Sequence, residues 1–251
     1  MKHCLFAVIL SLSVFTSGAH ARPLEAIKKS GKLIAATEGQ FPPFNFFKGT
    51  KLSGFEIDLA EMLAKKMGVA LEWKTLPFDS LLIGLAQDRY DLVIASHGVT
   101  PERQRAVLFT KPHYCTGGVA VGKGKAPSKA SLKGFTVGVQ VGTSYVTELQ
   151  KEHLFKQLKT FPKDTDAVQS LMAGKVDAWV SDRFVALEAV SKNAALEIGE
   201  LVFTERVAIA VALGNAGLAD GLNAALDFVK SDGSYVKLSN QYFKTDVSCG
   251  R

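Results

Sequence analysis

Three short stretches of this sequence place polar groups where they can act on a small ligand. Gly142, Thr143 and Ser144 follow an apolar run and precede a helical pattern, so the N–H groups of Thr143 and Ser144 form an anion site at a helix N-terminus. Thr143 reads equally as an ordinary N-cap. No Gly-Lys-Ser/Thr follows, so this is not a nucleotide loop. Leu85 to Ser96 (LAQDRYDLVIAS) and Leu171 to Asp182 (LMAGKVDAWVSD) echo one another, each with a helix end, a basic residue, an Asp and a buried strand ending in Ser. Ligands of open α/β sheets sit beyond the carboxyl ends of strands. Ser96 and the Ser181 to Asp182 pair therefore take equivalent ligand-facing positions on two separate units, with a cleft between them. Asp182 also reads as the N-cap of a helix over Arg183 to Val190, and composition alone makes Arg103, in a Pro-Glu-Arg-Gln-Arg turn, a solvated surface charge. Other chemistries find no residues: His97, His113 and His153 lack short ligand spacing, and no G-x-S-x-G exists.

The elements that carry these groups alternate. Lys32 to Thr37 is a short apolar strand, Phe55 to Met67 has apolar residues at 55, 59, 62, 63 and 67 before Gly68, and Val69, Leu71 and Trp73 alternate with polar residues. A helix over Phe78 to Gln87 and a buried strand over Leu92 to Ala95 complete a β-α-β-α-β unit, the builder of a parallel sheet. The grammar restarts with strand Phe135 to Gln140, a helix from Ser144, a strand near Leu158 to Phe161, helix Thr165 to Ala173 and strand Val176 to Val180. A strand over Val207 to Leu213 and helices over Ala216 to Lys230 and Ser234 to Phe243 are too little for a third domain and return to the first unit. Gly122 to Ser128 reads as a flexible surface turn.

The first 21 residues have the form of a secretory leader: Lys2 and His3, an apolar run from Leu5 to Phe15, then Ala19, His20 and Ala21 as a small-x-small cleavage site. The mature chain would begin at Arg22, outside the cytoplasm, with Cys115 and Cys249 as its only cysteines; they can pair there, or one can be a buried small hydrophobe and the other a tail residue. The 251 residues, 47% hydrophobic and 22% charged, exclude disordered, collagenous and coiled-coil classes. The net charge of +6 falls to +5 when the leader takes Lys2 away. Its Lys and Arg residues are scattered, with no basic run and no nucleic-acid motif.

Gly54 to Met67 (GFEIDLAEMLAKKM) fits throughout the signature of the bacterial extracellular solute-binding proteins of family 3, the polar amino acid receptors of ABC importers. The family's other landmarks stand around it in order: Pro42 to Phe44, Phe78 to Ser80, Tyr90 and Asp91, Thr100 to Arg103 (TPER), Val137 to Ser144 (VGVQVGTS), and Val176 to Asp182. The resemblance covers nearly all of the chain after the leader. It implies an α/β periplasmic-binding-protein (Venus flytrap) fold, two α/β lobes joined by two hinge strands with the ligand cleft between them. Residues 22–112 and 211–251 would form lobe one and 118–205 lobe two, with hinges about 113–117 and 206–210. It further implies a periplasmic monomer that takes a free amino acid and meets an inner-membrane ABC permease, with no cofactor, metal, nucleic acid or catalysis.

A zwitterion needs a cation and backbone donors for its carboxylate, an anion for its ammonium, and walls that exclude water. By resemblance Arg103 is the carboxylate-binding arginine, joined by Thr143 and Ser144. Asp182 is the ammonium-binding acid, joined by the Ser96 carbonyl, and Gly98 contributes an N–H. Gly98 departs from pattern, because many relatives have Ser or Thr there and one hydroxyl to the ammonium is missing. Phe41 and Phe78 match the pair that sandwiches the ligand side chain, whereas Phe44, Phe46 and Phe47 read as core. Glu38 matches the acidic position that meets a polar or cationic tail and Gln140 another specificity position, which together lean toward Arg, Lys, ornithine or Gln. Arg183 would oppose that if it faced the cleft. Two alternatives share the fold. A cyclohexadienyl dehydratase would place a catalytic Glu where this chain has Val185 and a Trp where it has Phe78. A sensor module would need a separate effector.

Overall fold

The computed structural model describes residues 21–250, so the expected leader lies outside the described residues except for Ala21. Helix α1 (Leu24–Ser30) leads into β1 (Lys32–Thr37), then a small antiparallel meander of β2 (Gln40–Phe41), β3 (Asn45–Lys48) and β4 (Lys51–Ser53). Helix α2 (Phe55–Met67) follows, then β5 (Ala70–Thr75), α3 (Phe78–Ala86), β6 (Leu92–Val93), the single turn α4 (Pro101–Gln104) and β7 (Val107–Phe109). The chain then crosses into β8 (Tyr114–Lys123), β9 (Thr136–Gln140), α5 (Ser144–Lys151), β10 (Gln157–Phe161), α6 (Asp164–Met172), β11 (Ala178–Asp182), α7 (Arg183–Lys192) and β12 (Leu196–Val207). It returns through Ala208 and Ile209 to β13 (Ala210–Ala212), α8 (Ala216–Ser231) and α9 (Ser234–Phe243).

The strands form two five-stranded sheets with one plan, β5-β1-β6-β13-β7 and β10-β9-β11-β8-β12. In each, three parallel strands meet one antiparallel strand, and the fifth strand pairs antiparallel with that one. Parallel strands deliver their carboxyl ends to one edge, where open α/β sheets bind ligands. Glu38 follows β1, Gln140 ends β9 and Asp182 ends β11, while Ser96 lies just past β6. The echo between Leu85–Ser96 and Leu171–Asp182 thus corresponds to β6 and β11, each the central strand of its sheet and parallel to its neighbour β1 or β9.

Two crossings connect the sheets and are bonded side by side: the Thr110 N–H donates to Ile209 O and the His113 N–H to Val207 O, both at 2.9 Å. Beyond them β8 and β12 form a long antiparallel ribbon from Tyr114↔Val207 to Lys123↔Leu196. The sequence hides this ribbon, because β12 has register irregularities between Ile198 and Phe203 that break the alternation of period two. The expected strand over 207–213 is accordingly shortened to β13. Gly122 and Lys123 close β8, so the turn expected over Gly122–Ser128 begins at Gly124. The meander also reassigns one aromatic: Phe44 is fully buried, but Phe47 sits on the outward side of β3 with 41% of its surface exposed.

Amphipathic α2 packs against α8 and α9, which brings the C-terminal helices back onto the first sheet. A cluster of rings, Phe44, Phe55, Tyr114, Phe184 and Phe243, fills the space between the crossings and those helices. Past α9 the chain docks on the start of β8: the Cys115 N–H donates to Val247 O at 3.0 Å, and Cys115 is disulfide-bonded to Cys249, with Cα atoms 4.8 Å apart. The bond closes a long loop, since 134 positions separate the two cysteines. Replacing both cysteines by Ser should lower the unfolding free energy by about 2–4 kcal/mol, read as a lower urea midpoint. An unchanged midpoint would mean that the bond does not constrain the chain in solution.

Candidate functional site

One enclosed cleft lies between the sheets, lined by Glu38, Phe41, Phe78, Ser96 and Arg103 on one side and Gln140, Thr143, Ser144 and Tyr145 on the other. Its free volume is about 10 Å³, room for a single water at most. As it stands the cleft has no room for a larger solute.

Side chains meet across it at two points. Arg103 rises from α4, whose first turn is capped by Thr100 Oγ1 accepting from the Arg103 N–H at 3.2 Å. Its guanidinium donates from Nη1 to Gly98 O at 2.8 Å and from Nη2 to Gly142 O at 2.9 Å, and stands over the Phe78 ring with Cζ 5.8 Å from the centroid. Five N–H donors leave three after those two bonds. They lie next to the head of α5, where Gly142 has φ +75°, a left-handed turn suited to glycine, and Thr143 and Ser144 begin the helix. The Thr143 hydroxyl donates to Gln140 O at 2.8 Å rather than capping the helix, so the first-turn N–H groups stay directed at the cleft. The second point is Gln140 Nε2, which donates to Glu38 Oε1 at 2.6 Å.

Beneath the cleft, Glu56 of α2 is fully buried and accepts from four donors: the Ser96 N–H at 2.8 Å, Ser96 Oγ at 3.0 Å, Asn45 Nδ2 at 2.8 Å and His113 Nε2 at 2.9 Å. This carboxylate fixes Ser96, which has φ +56°, an uncommon conformation for a non-glycine residue, and so sets where the 96–98 segment runs. It also ties that segment to His113 at the first crossing.

The remaining carboxyls are poorly compensated. Asp182 is fully buried; Oδ1 accepts from the Phe184 N–H at 2.7 Å and caps α7, while Oδ2 has no hydrogen-bond partner among the described residues. Burial, then repulsion from Glu205, raises its pKa to about 8. Glu205 of β12 accepts from Ser144 Oγ at 2.7 Å, with the Tyr145 side chain also beside it, and burial raises its pKa too. Burial lifts Glu38 to about 7 against the opposing bond from Gln140, with Asp164 and Asp79 adding repulsion. Asp164, bonded to Trp179 Nε1 at 2.9 Å, is likewise pushed by burial to about 7. His97 stacks on Phe78 with centroids 4.2 Å apart; burial and the nearby Arg103 hold its pKa well below the usual imidazole range, so it is neutral at pH 7.

Of the residues expected from sequence, Glu38, Phe41, Phe78, Ser96, Arg103, Gln140, Thr143 and Ser144 line one cleft, while Gly98 and the buried Asp182 are not among its lining residues. Arg183 is exposed and lines an outer cavity of about 650 Å³ instead. Sequence reasoning missed Tyr145, His97, Glu56 and Glu205. Glu56 carried a signal, an acid within the apolar stripe of α2 beside Phe55, Leu59 and Leu63. Glu205 carried none, because it sits on the irregular strand.

Comparison with known proteins gives the site a context. The model of the bacterial extracellular solute-binding proteins, family 3, matches residues 33–245. The L-cystine-binding protein TcyJ of Escherichia coli (strain K12) is 33% identical over 249 residues, covering 96% of this chain and 93% of that one. Solved structures of an ancestral arginine-binding protein are also similar. The form bound to glutamine is 39% identical, covers 85% of this chain and 98% of its own, and has a TM-score of 0.80. The form bound to arginine is 38% identical over 89% and 100%, with a TM-score of 0.79.

The raised carboxyls set a pH dependence. A group whose pKa is higher folded than unfolded binds its proton more tightly in the native state, so the stability it contributes is present below the unfolded value and lost as pH climbs through the folded one. For Glu38 that window runs from 4.5 to about 7. The melting temperature should therefore fall between pH 5 and 8, and Glu38→Gln, which cannot ionise, should flatten the fall. An identical slope in wild type and variant would contradict the assignment.

Proposed function

The chain belongs to the bacterial extracellular solute-binding proteins, family 3, and we propose that it captures one free L-amino acid with a cationic or amide tail by lobe closure and hands it to an inner-membrane ABC permease from the periplasm. The observation that carries this reading is the joint between Arg103 and the head of α5. A guanidinium with spare donors and a helix N-terminus converge on one point only when the two sheets meet. That is a socket for a carboxylate, and it lies in one cleft with two aromatic rings and an acid at Glu38. The crossings, about 113–117 and 206–210, are the hinges in this account, with 22–112 and 211–251 on one lobe and 118–205 on the other.

The tail end of the site favours a donor. Glu38 is desolvated and lies near Asp164 and Asp79, with Lys163 an offsetting cation, so a guanidinium or ammonium tail relieves repulsion there, and an amide tail satisfies the Glu38 and Gln140 side chains. The exposed Arg183 does not oppose this. Charge-assisted contacts contribute roughly 1.5–3 kcal/mol each, and a handful with aromatic burial amounts to about −8 kcal/mol after ordering costs, a micromolar affinity. No turnover is involved: the position at which a related dehydratase would carry its Glu holds Val185, a buried core residue.

A thermal-shift screen of the twenty amino acids with ornithine, citrulline and cystine should select arginine, lysine, ornithine or glutamine, because a ligand bound only by the folded state raises its melting temperature. By calorimetry Arg103→Ala should lose at least tenfold in affinity for the selected amino acid. Glu38→Gln should weaken L-arginine at least tenfold more than L-glutamine. Full-strength binding by Arg103→Ala would contradict the site, and a screen that selects only apolar amino acids would contradict the proposed ligand class.

A further inference from the structure

Glu205 has a place in the site that the family pattern does not assign. Gly98 has no side chain, and the space beside it is filled from another strand. A Cβ at position 98 would fall on Glu205 Oε2, and would stand 3.1 Å from Glu205 Cδ and 3.4 Å from Ser144 Oγ. The carboxylate thus occupies the volume that any other side chain at 98 would take. We propose that Glu205 is a specificity-determining acid of this cleft, which with Asp182 accepts from a charged amine on the ligand's α-carbon. This rests on the amino acid reading above and deepens it.

Position supports the assignment first. Ser96 and Arg103 line the cleft, as do Ser144 and Tyr145, which hold the Glu205 carboxylate in place, and Glu205 itself lies behind them on the outer cavity. The carboxylate therefore stands at the seam between the 96–98 segment and α5, the two pieces that close on each other.

Charge supports it second. Asp182 Oδ2 is buried and without a hydrogen-bond partner among the described residues, and Asp182 and Glu205 repel each other. The cation near Glu205 is Arg103, which spends Nη1 and Nη2 bonds on the carbonyls of Gly98 and Gly142. Asp182 is buried, while Glu205 is half-buried and also lines the outer cavity; an ammonium brings a full positive charge and three N–H groups for Asp182, Glu205 and the Ser96 carbonyl. A hydroxyl at position 98 would accept the same hydrogen bond from a neutral donor. A carboxylate in that place rewards charge, so this cleft should discriminate more sharply than a Ser-bearing one between an α-ammonium and its des-amino, hydroxy or acylated counterparts.

The test is Glu205→Gln, which keeps shape and removes charge, measured by calorimetry with L-arginine and with its des-amino analogue 5-guanidinopentanoate, or with the corresponding pair for whichever amino acid the screen selects. The amino acid should bind at least tenfold more weakly to the variant, the des-amino analogue within twofold of wild type, and the ligand-free variant should melt no lower than wild type. Wild-type affinity for the amino acid, or an equal loss for both ligands, overturns the proposal. So does a ligand-free melting temperature well below wild type's, which would make Glu205 a structural residue. If wild type binds no amino acid at all, the proposed function fails and this inference fails with it.

Discussion

Taking a carboxylate out of water costs several kcal/mol unless donors replace the lost hydration, and this molecule meets that constraint in two opposite ways. Glu56 is buried and saturated by four donors from Ser96, Asn45 and His113, so it acts as a fixed joint. Glu38, Asp182 and Glu205 are desolvated around the cleft with fewer donors than they can accept from, and all three are pushed toward the neutral form. The first acid sets the geometry of the 96–98 segment. The others hold a demand for positive charge that the protein itself leaves largely unmet.

The architecture explains how such a site can exist without unfolding the chain. Two sheets of the same plan each bring the ends of parallel strands to one edge, so Glu38 after β1 and Gln140 at the end of β9 meet across a gap. The two crossings are bonded to each other, and the disulfide between Cys115 and Cys249 fastens the C-terminal segment where β8 begins.

Much of this was legible in the sequence because it depends on local patterns. The 3.6-residue period of Phe55–Met67, the alternation around Val69–Trp73 and the repeated β-α-β grammar place the sheets and helices to within a few residues. The Gly-Thr-Ser turn marked one wall of the cleft, and resemblance to a known family drew attention to Arg103 and Glu38, as composition would not. What stayed hidden depends on tertiary contact. The bulges in β12 erased its alternation, so Glu205 had no pattern to belong to. His97 and Tyr145 became part of the site through packing on Phe78 and beside Glu205, and Phe47 turned outward because a two-residue strand preceded it rather than a core segment.

The central claim is that an amino acid is held by groups from both sheets at once, so binding and closure are one event. The direct measurement is the distance between spin labels on the exposed positions Ile83 of α3 and Leu187 of α7, one on each side of the cleft, read with and without the amino acid that the protein binds. The account predicts a broad distribution that collapses to a single shorter distance on ligand addition, and a collapse that Arg103→Ala weakens. A distribution that ligand leaves unchanged while calorimetry reports binding would contradict it.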